Sequence, residues 1–186
     1  MRRIAFLTIV LGSFIGSSTS TFSQEAHVWS DVDCDQSNIV VPAEFKCRAT
    51  QEYSGGQGNS TSDAGGRFRR WTATGMSNNA KAYYLLQEGV GTTRSQITTT
   101  ETLEQRIKQI GSRTDKNFTQ TQSMAGGDYV RYESAGGTPC VGIRKYGPST
   151  TGGFKWIIVG TLCGQKGKVI SDQDIASFMA SANYRG

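Results

Sequence analysis

His27 is the only histidine in the chain, which limits the available chemistry at once. Ser-His-Asp and Cys-His mechanisms need an imidazole held rigidly beside a nucleophile, whereas His27 falls just beyond a processing site, in a stretch expected to fray. Histidine-built metal centres are excluded on the same ground. Neither a phosphate-cradling GxxxxGK[ST] loop nor a GxGxxG fingerprint is present. The glycine pairs read as hairpin turns, and no cofactor is expected.

Four cysteines, Cys34, Cys47, Cys140 and Cys163, are the next candidates. Structural zinc sites normally contain a short Cys-x₂₋₄-Cys pair, and none occurs here, so an even count in an exported chain reads as two disulfides. Cys140 and Cys163 flank two strand-like runs, Val141 to Tyr146 and Phe154 to Leu162, joined by the turn-rich segment Gly147 to Gly153. Folding that hairpin about its middle brings the two cysteines opposite one another, within reach of a bridge. Elimination then pairs Cys34 with Cys47, and no thiol remains as a nucleophile.

Carboxylates offer one further metal reading. Asp31, Asp33 and Asp35 resemble the opening of a calcium loop, but an EF-hand needs glycine at the sixth position and glutamate at the twelfth, where this chain has Gln36 and Pro42. An irregular site on these three aspartates and a solvated acidic segment beside a disulfide are the two readings left. Paired carboxylates of the glycosidase type are defined by separation in space.

A binding surface is suggested by Arg67-Phe68-Arg69-Arg70-Trp71. On a strand, Arg67, Arg69 and Trp71 share one face while Phe68 and Arg70 share the other. An exposed ridge of that kind suits anions held by guanidinium forks or sugars stacked on indole. The same alternation is met if Trp71 or Phe68 is core and the arginines form an ordinary solvated face.

These residues need a frame. Ile39 to Arg48 reads as a strand marked by Pro42. Residues 54–66 form a Gly/Ser-rich segment that cannot bury enough apolar surface to hold one conformation. Arg67 to Thr74 and Lys81 to Glu88 are strands around a turn containing Gly75, Ser77, Asn78 and Asn79. Thr98 and Glu101 form a capping box for a helix carrying Leu103, Ile107 and Ile110 and ending at Gly111. Phe118 to Met124 and Tyr129 to Ser134 make a further hairpin. A second helix opens at Ser171 and Asp174 and presents Ile175, Phe178, Met179 and Ala182. The class is α+β: an antiparallel sheet packed by two helices.

Ahead of this frame, Arg2 and Arg3 precede an apolar run, Ile4 to Gly16, and a small polar stretch, the pattern of a cleavable signal peptide over residues 1–23. The run is too short to span a bilayer, which takes roughly 20 apolar residues. Cleavage after Ser20 or Ser23 satisfies the small-residue rule, and Ser23 is preferred. Residues 24–186 then have the usual size of one domain. With Arg2 and Arg3 removed from 20 basic residues, against 15 acidic ones, the net charge is about +3, too weak to argue for nucleic acid.

The order of elements, with the tail Cys140-Val-Gly-Ile-Arg, Gly160-Thr-Leu-Cys163 and Ile170-Ser-Asp-Gln-Asp-Ile175, resembles small exported bacterial proteins of the Mog1/PsbP-like fold. That resemblance implies a binding or assembly-accessory role and transfers no functional residue. The expectation is therefore a secreted or periplasmic, non-catalytic module with no membrane span in its mature form. Its partner would be a protein or envelope component. The alternatives are a small carboxylate-dependent hydrolase and an exported inhibitor or effector. Clustered buried acids in a cleft would mark the enzyme, and an arginine-rimmed face would mark the binder.

Overall fold

The computed structural model describes residues 28–54, 66–91, 96–98, 100–150 and 153–186. Residues 1–23, where a signal peptide is expected, His27 and nearly all of the Gly/Ser-rich stretch 54–66 lie outside the described residues.

In chain order the strands are β1 (Trp29–Val32), β2 (Ile39–Val40), β3 (Lys46–Thr50), β4 (Tyr53–Ser54), β5 (Arg67–Ser77) and β6 (Ala80–Val90). After helix α1 (Leu103–Ile110) come β7 (Gln122–Met124), β8 (Gly127–Glu133), β9 (Pro139–Tyr146), β10 (Ser149–Thr150), β11 (Gly153–Phe154) and β12 (Trp156–Cys163). Helix α2 (Asp172–Ala180) and β13 (Asn183–Tyr184) close the chain. A nine-stranded antiparallel sheet runs β1-β3-β5-β6-β12-β9-β8-β7, with β4 also pairing β5. The fold is more sheet-rich than the α+β expectation implies, although both helices are present.

The long β5–β6 ribbon forms because two asparagines supply its turn. Asn78 and Asn79 have φ of 49° and 62°, the left-handed pair that a two-residue hairpin needs. Gly75 to Ser77, expected in the turn, continue the strand instead, and Ser77 pairs Ala80. The expected strand Ile39 to Arg48 is divided: β2 leaves to pair β13, and only β3 enters the main sheet. Of Phe118 to Met124 only the last three residues are strand, and Phe118 stacks on Tyr132 at 4.8 Å instead.

Alternation along the strands splits the apolar residues between two faces. One face carries Trp71, Tyr84, Leu86, Val141, Ile143 and Ile158 under Ile175, Phe178 and Met179 of α2. The other carries Phe68, Val130, Tyr132, Ile157 and Val159 under Leu103 and Ile107 of α1. Each helix sits close to the sheet because a glycine lies beneath it. A Cβ on Gly142 would meet Ile107 Cγ1 at 2.5 Å, and one on Gly160 would meet Tyr84 Cδ1 at 2.7 Å, beside Phe178.

α2 begins where expected, with Ser171 capping Asp174 N and the Asp174 carboxylate returning the bond. α1 begins four residues later than the Thr98 expectation. Its cap is Thr102, boxed with Gln105, because Ile97 is fully buried and still bridges Phe154 in extended conformation.

Candidate functional site: a guanidinium cluster on the α1 face

Both disulfides are formed as expected. Cys140 and Cys163 are direct partners of β9 and β12 with Cα atoms 4.2 Å apart, and Cys34 joins Cys47 across 5.2 Å. None of the four cysteines is free.

The proposed ridge keeps its arginines but not its aromatic. Arg67 and Arg69 point to the same side as Trp71, as alternation requires, yet Trp71 is 6% exposed and belongs to the core. Its indole Nε1 donates to Glu88 at 2.7 Å. Arg69 lies over the ring at 5.4 Å and pairs Glu52 at 3.1 Å, and Arg67 pairs the same carboxylate. A buried indole offers no stacking platform.

The three aspartates do not converge. Asp31 pairs Arg48 at 3.0 Å, and Asp33 accepts from Asp35 N at the start of a short 3₁₀ turn, Cys34–Gln36. Asp31 and Asp33 line a groove of about 400 Å³ beside the Cys34–Cys47 bridge. Among the described residues, no group of three His, Cys, Asp or Glu is placed to share a metal ion.

A different set of side chains gathers around Arg106, on the face that Arg70 shares with Phe68. Arg70 of β5 is the register partner of Gln87 of β6. Gln87, 1% exposed, accepts from Arg106 Nη2 at 3.3 Å, so α1 reaches the residue that Arg70 pairs in the ladder. Arg106 is 6% exposed, bonds Gln109 at 3.1 Å and lies 3.5 Å from Glu101. Arg144 of β9 donates to the Glu101 carbonyl at 3.1 Å and pairs Asp128, its register partner, at 3.3 Å. Glu101 thus ties Arg106 to Arg144 through two different oxygens. Arg70 packs over the Tyr53 ring at 5.2 Å and Arg144 over Tyr146 at 5.0 Å.

Three guanidinia here face two carboxylates, Glu101 and Asp128. Among the described residues Arg70 makes no ion pair, and the buried Nε atoms of Arg70 and Arg144 find no acceptor. Burial holds Arg106 below its usual range; Arg70 and Arg144 push the same way, and Glu101 and Tyr53 oppose them. Burial pushes Tyr83 up to about 12, against the pull of Arg70. α1 lies mainly over β8, β9 and β12. Arg70, Tyr83 and Leu85 are left half-buried beside it.

Sequence reasoning placed Arg70 on this face without giving it a role, and it missed Gln87, Arg106 and Arg144. One signal was present: Arg106 stands second in the series Leu103, Arg106, Ile107 and Ile110, inside the apolar stripe.

The buried carboxylates stand apart. Glu88, 4% exposed, accepts from Trp71 and from Asn38 Nδ2 at 2.9 Å on the α2 face. Asp115, 7% exposed, accepts from Ser112 N and Ala135 N on the α1 face. Compared with protein-family models, curated proteins and solved structures, the chain matches none.

Proposed function

We propose that the chain is an exported, non-catalytic binding module, with residues 24–186 acting as one domain and its ligand held on the α1 face. The observation that carries this reading is Arg70: a half-buried guanidinium over the Tyr53 ring, without an ion-pair partner among the described residues, whose charge bears on the buried Arg106. A charge that costs desolvation and receives no counter-charge among the described residues is better accounted for by an external anion than by stability. Export is supported by the leader pattern in residues 1–23 and by two disulfides, which persist in oxidising compartments. The resemblance to the Mog1/PsbP-like fold points to the same kind of role. The hydrolase alternative calls for neighbouring acids in one cleft, whereas Glu88 and Asp115 lie on opposite faces and each is taken up by neutral donors.

The test is retention from envelope extract by the immobilised oxidised protein, run beside Arg70→Glu. A component retained by the parent and lost by the variant is the expected result. Identical retention profiles would remove the α1 face from the reading.

A further inference from the structure

The geometry points to the part of the sheet beside α1, on strands β1, β3, β5 and β6, as a docking face for an acidic protein surface, an inference that rests on the binding-module reading above. Alternate residues of these strands, Cys47, Trp71, Ala73 and Tyr84 among them, belong to the core under α2, so the residues between them face the other way. α1 lies mainly over β8, β9 and β12 and leaves this half of the sheet beside it. Register pairs set its side chains in rows. Asp31, Arg48, Thr72 and Leu85 make one row, Lys46, Thr74 and Tyr83 the next, and Met76 and Lys81 the last. On the other side of the first row, Trp29 pairs Thr50, whose hydroxyl accepts from Arg70 N at 3.0 Å.

The charge on this face has one sign. Lys46, Arg48, Arg70 and Lys81 stand on it with a single acid, Asp31, which pairs Arg48 at 3.0 Å. Among the described residues the other three cations make no ion pair. Acids nearby are committed elsewhere: Glu101 pairs Arg106, Glu104 pairs Lys108, and Glu52 serves Arg67 and Arg69 on the opposite face. Each cation can therefore meet its own carboxylate on a partner, and none needs to share one.

Between the charges lies apolar surface. Trp29, Tyr83 and Leu85 are half-buried, and Met76 is 49% exposed. Aromatic side chains, methionine and arginine are over-represented where proteins meet. Strands about 4.8 Å apart, with same-face residues about 7 Å apart along each, give this face roughly 500 Å², the size of one side of a weak, transient contact. A second copy of the chain would bring the same cations against themselves. A bilayer takes up side chains that reach about 5 to 10 Å into it, whereas these lie in the plane of the sheet.

The probe is a short poly-L-glutamate peptide, titrated into the full oxidised protein beside an uncharged Gly-Ser peptide of the same length. The readout is the Trp29 indole N–H and the Leu85 and Met76 methyl resonances. Expected is saturable movement of all three with poly-L-glutamate, none with Gly-Ser, and weakening as sodium chloride is raised. Lys46→Glu with Lys81→Glu should bind roughly 10-fold more weakly. Thr74→Glu, an exposed position between those lysines, should weaken binding while leaving the melting temperature near that of the parent. Arg113→Glu with Lys116→Glu makes the same change of net charge beyond α1, at exposed positions, and should bind as the parent does.

The proposal is overturned if poly-L-glutamate leaves these resonances unmoved, or if the Arg113 and Lys116 variant loses as much affinity as the Lys46 and Lys81 variant. It is also overturned if phosphatidylglycerol vesicles bind through Lys46 and Lys81 where the peptide does not, which would assign the face to lipid. Sedimentation showing a dimer that Thr74→Glu dissolves would assign it to a second copy instead. Arg70→Glu abolishing retention from envelope extract while poly-L-glutamate has no effect would leave the binding-module reading and remove an acidic protein as the partner of this face.

Discussion

Trp71 and Glu88 are diagonal neighbours across β5 and β6, and the indole Nε1 donates to the carboxylate at 2.7 Å inside the α2-side core. Asn38 donates to the same carboxylate at 2.9 Å, from just before β2. One buried acid therefore fastens the short β2–β13 ribbon to the main sheet. Trp71→Phe, which removes one donor and keeps most of the ring, should cost about 1 to 3 kcal/mol. Trp71→Ala should cost roughly 3 to 5 kcal/mol. Urea unfolding measures both, and a Trp71→Ala protein as stable as the parent would contradict the core placement.

The start of α1 gives a second prediction. Thr102 Oγ1 accepts from Gln105 N at 3.2 Å, and Gln105 Oε1 accepts from Thr102 N at 2.8 Å. Thr102→Ala should destabilise by about 1 kcal/mol, while Thr98→Ala should change stability little. Equal losses at the two threonines would show that the helix begins earlier.

Those two threonines also show where sequence reading runs out. Thr98-x-x-Glu101 and Thr102-x-x-Gln105 both fit the capping pattern, and the choice is made by the bridge between Ile97 and Phe154, a contact far away in sequence. α2 had one candidate box, at Ser171, and was legible. The Cys140–Cys163 pairing was legible for a similar reason: its hairpin is local, and the register follows from folding it about its middle. β1 was missed because its four residues become a strand only by pairing β3. The arginine cluster was missed because α1, β5 and β9 meet only in the folded chain. Arg70 looked like the back of a ridge, and the ridge's own indole turned out to be core.

Alkaline titration should expose the buried tyrosines. Burial pushes Tyr83 and Tyr184 up to about 12, Glu88 adding to the shift at Tyr184, and burial also raises Tyr53, Tyr84 and Tyr132. These phenols keep their protons in the fold at a pH where the unfolded chain, with values near 10, has lost them. The folded state then binds more protons, so their contribution is complete below pH 10 and is lost as pH rises towards 12. Lys145 acts oppositely. Burial lowers it from 10.5, so its contribution grows with pH until that value is reached and then stops. The net expectation is a melting temperature that falls above about pH 10.5, with tyrosinate absorbance appearing together with unfolding. Free ionisation of all tyrosines in a still-folded protein would contradict it.

The final prediction concerns the staples. A non-reduced peptide map should join Cys140 to Cys163 and Cys34 to Cys47, with no titratable thiol. The bridges close segments separated by 23 and 13 residues. Chain-entropy estimates give roughly 3 kcal/mol for loops of this order and a difference of only about 0.5 kcal/mol between them. Replacing Cys140 and Cys163 together by serine should therefore lower the melting temperature by about 6 to 12 °C, at about 2 to 4 °C per kcal/mol for this size. The double variant should still fold, because every neighbouring pair from Ile157–Tyr146 to Leu162–Val141 holds the same register without the bond. If unfolded-state entropy dominates, the Cys34 and Cys47 double variant should lose nearly as much. A much larger loss there would mean that this bridge also holds the Cys34–Gln36 turn against β3, where no ladder supports it. A Cys140, Cys163 double variant that melts with the parent would show that the β9–β12 pairing leaves the bond nothing to add.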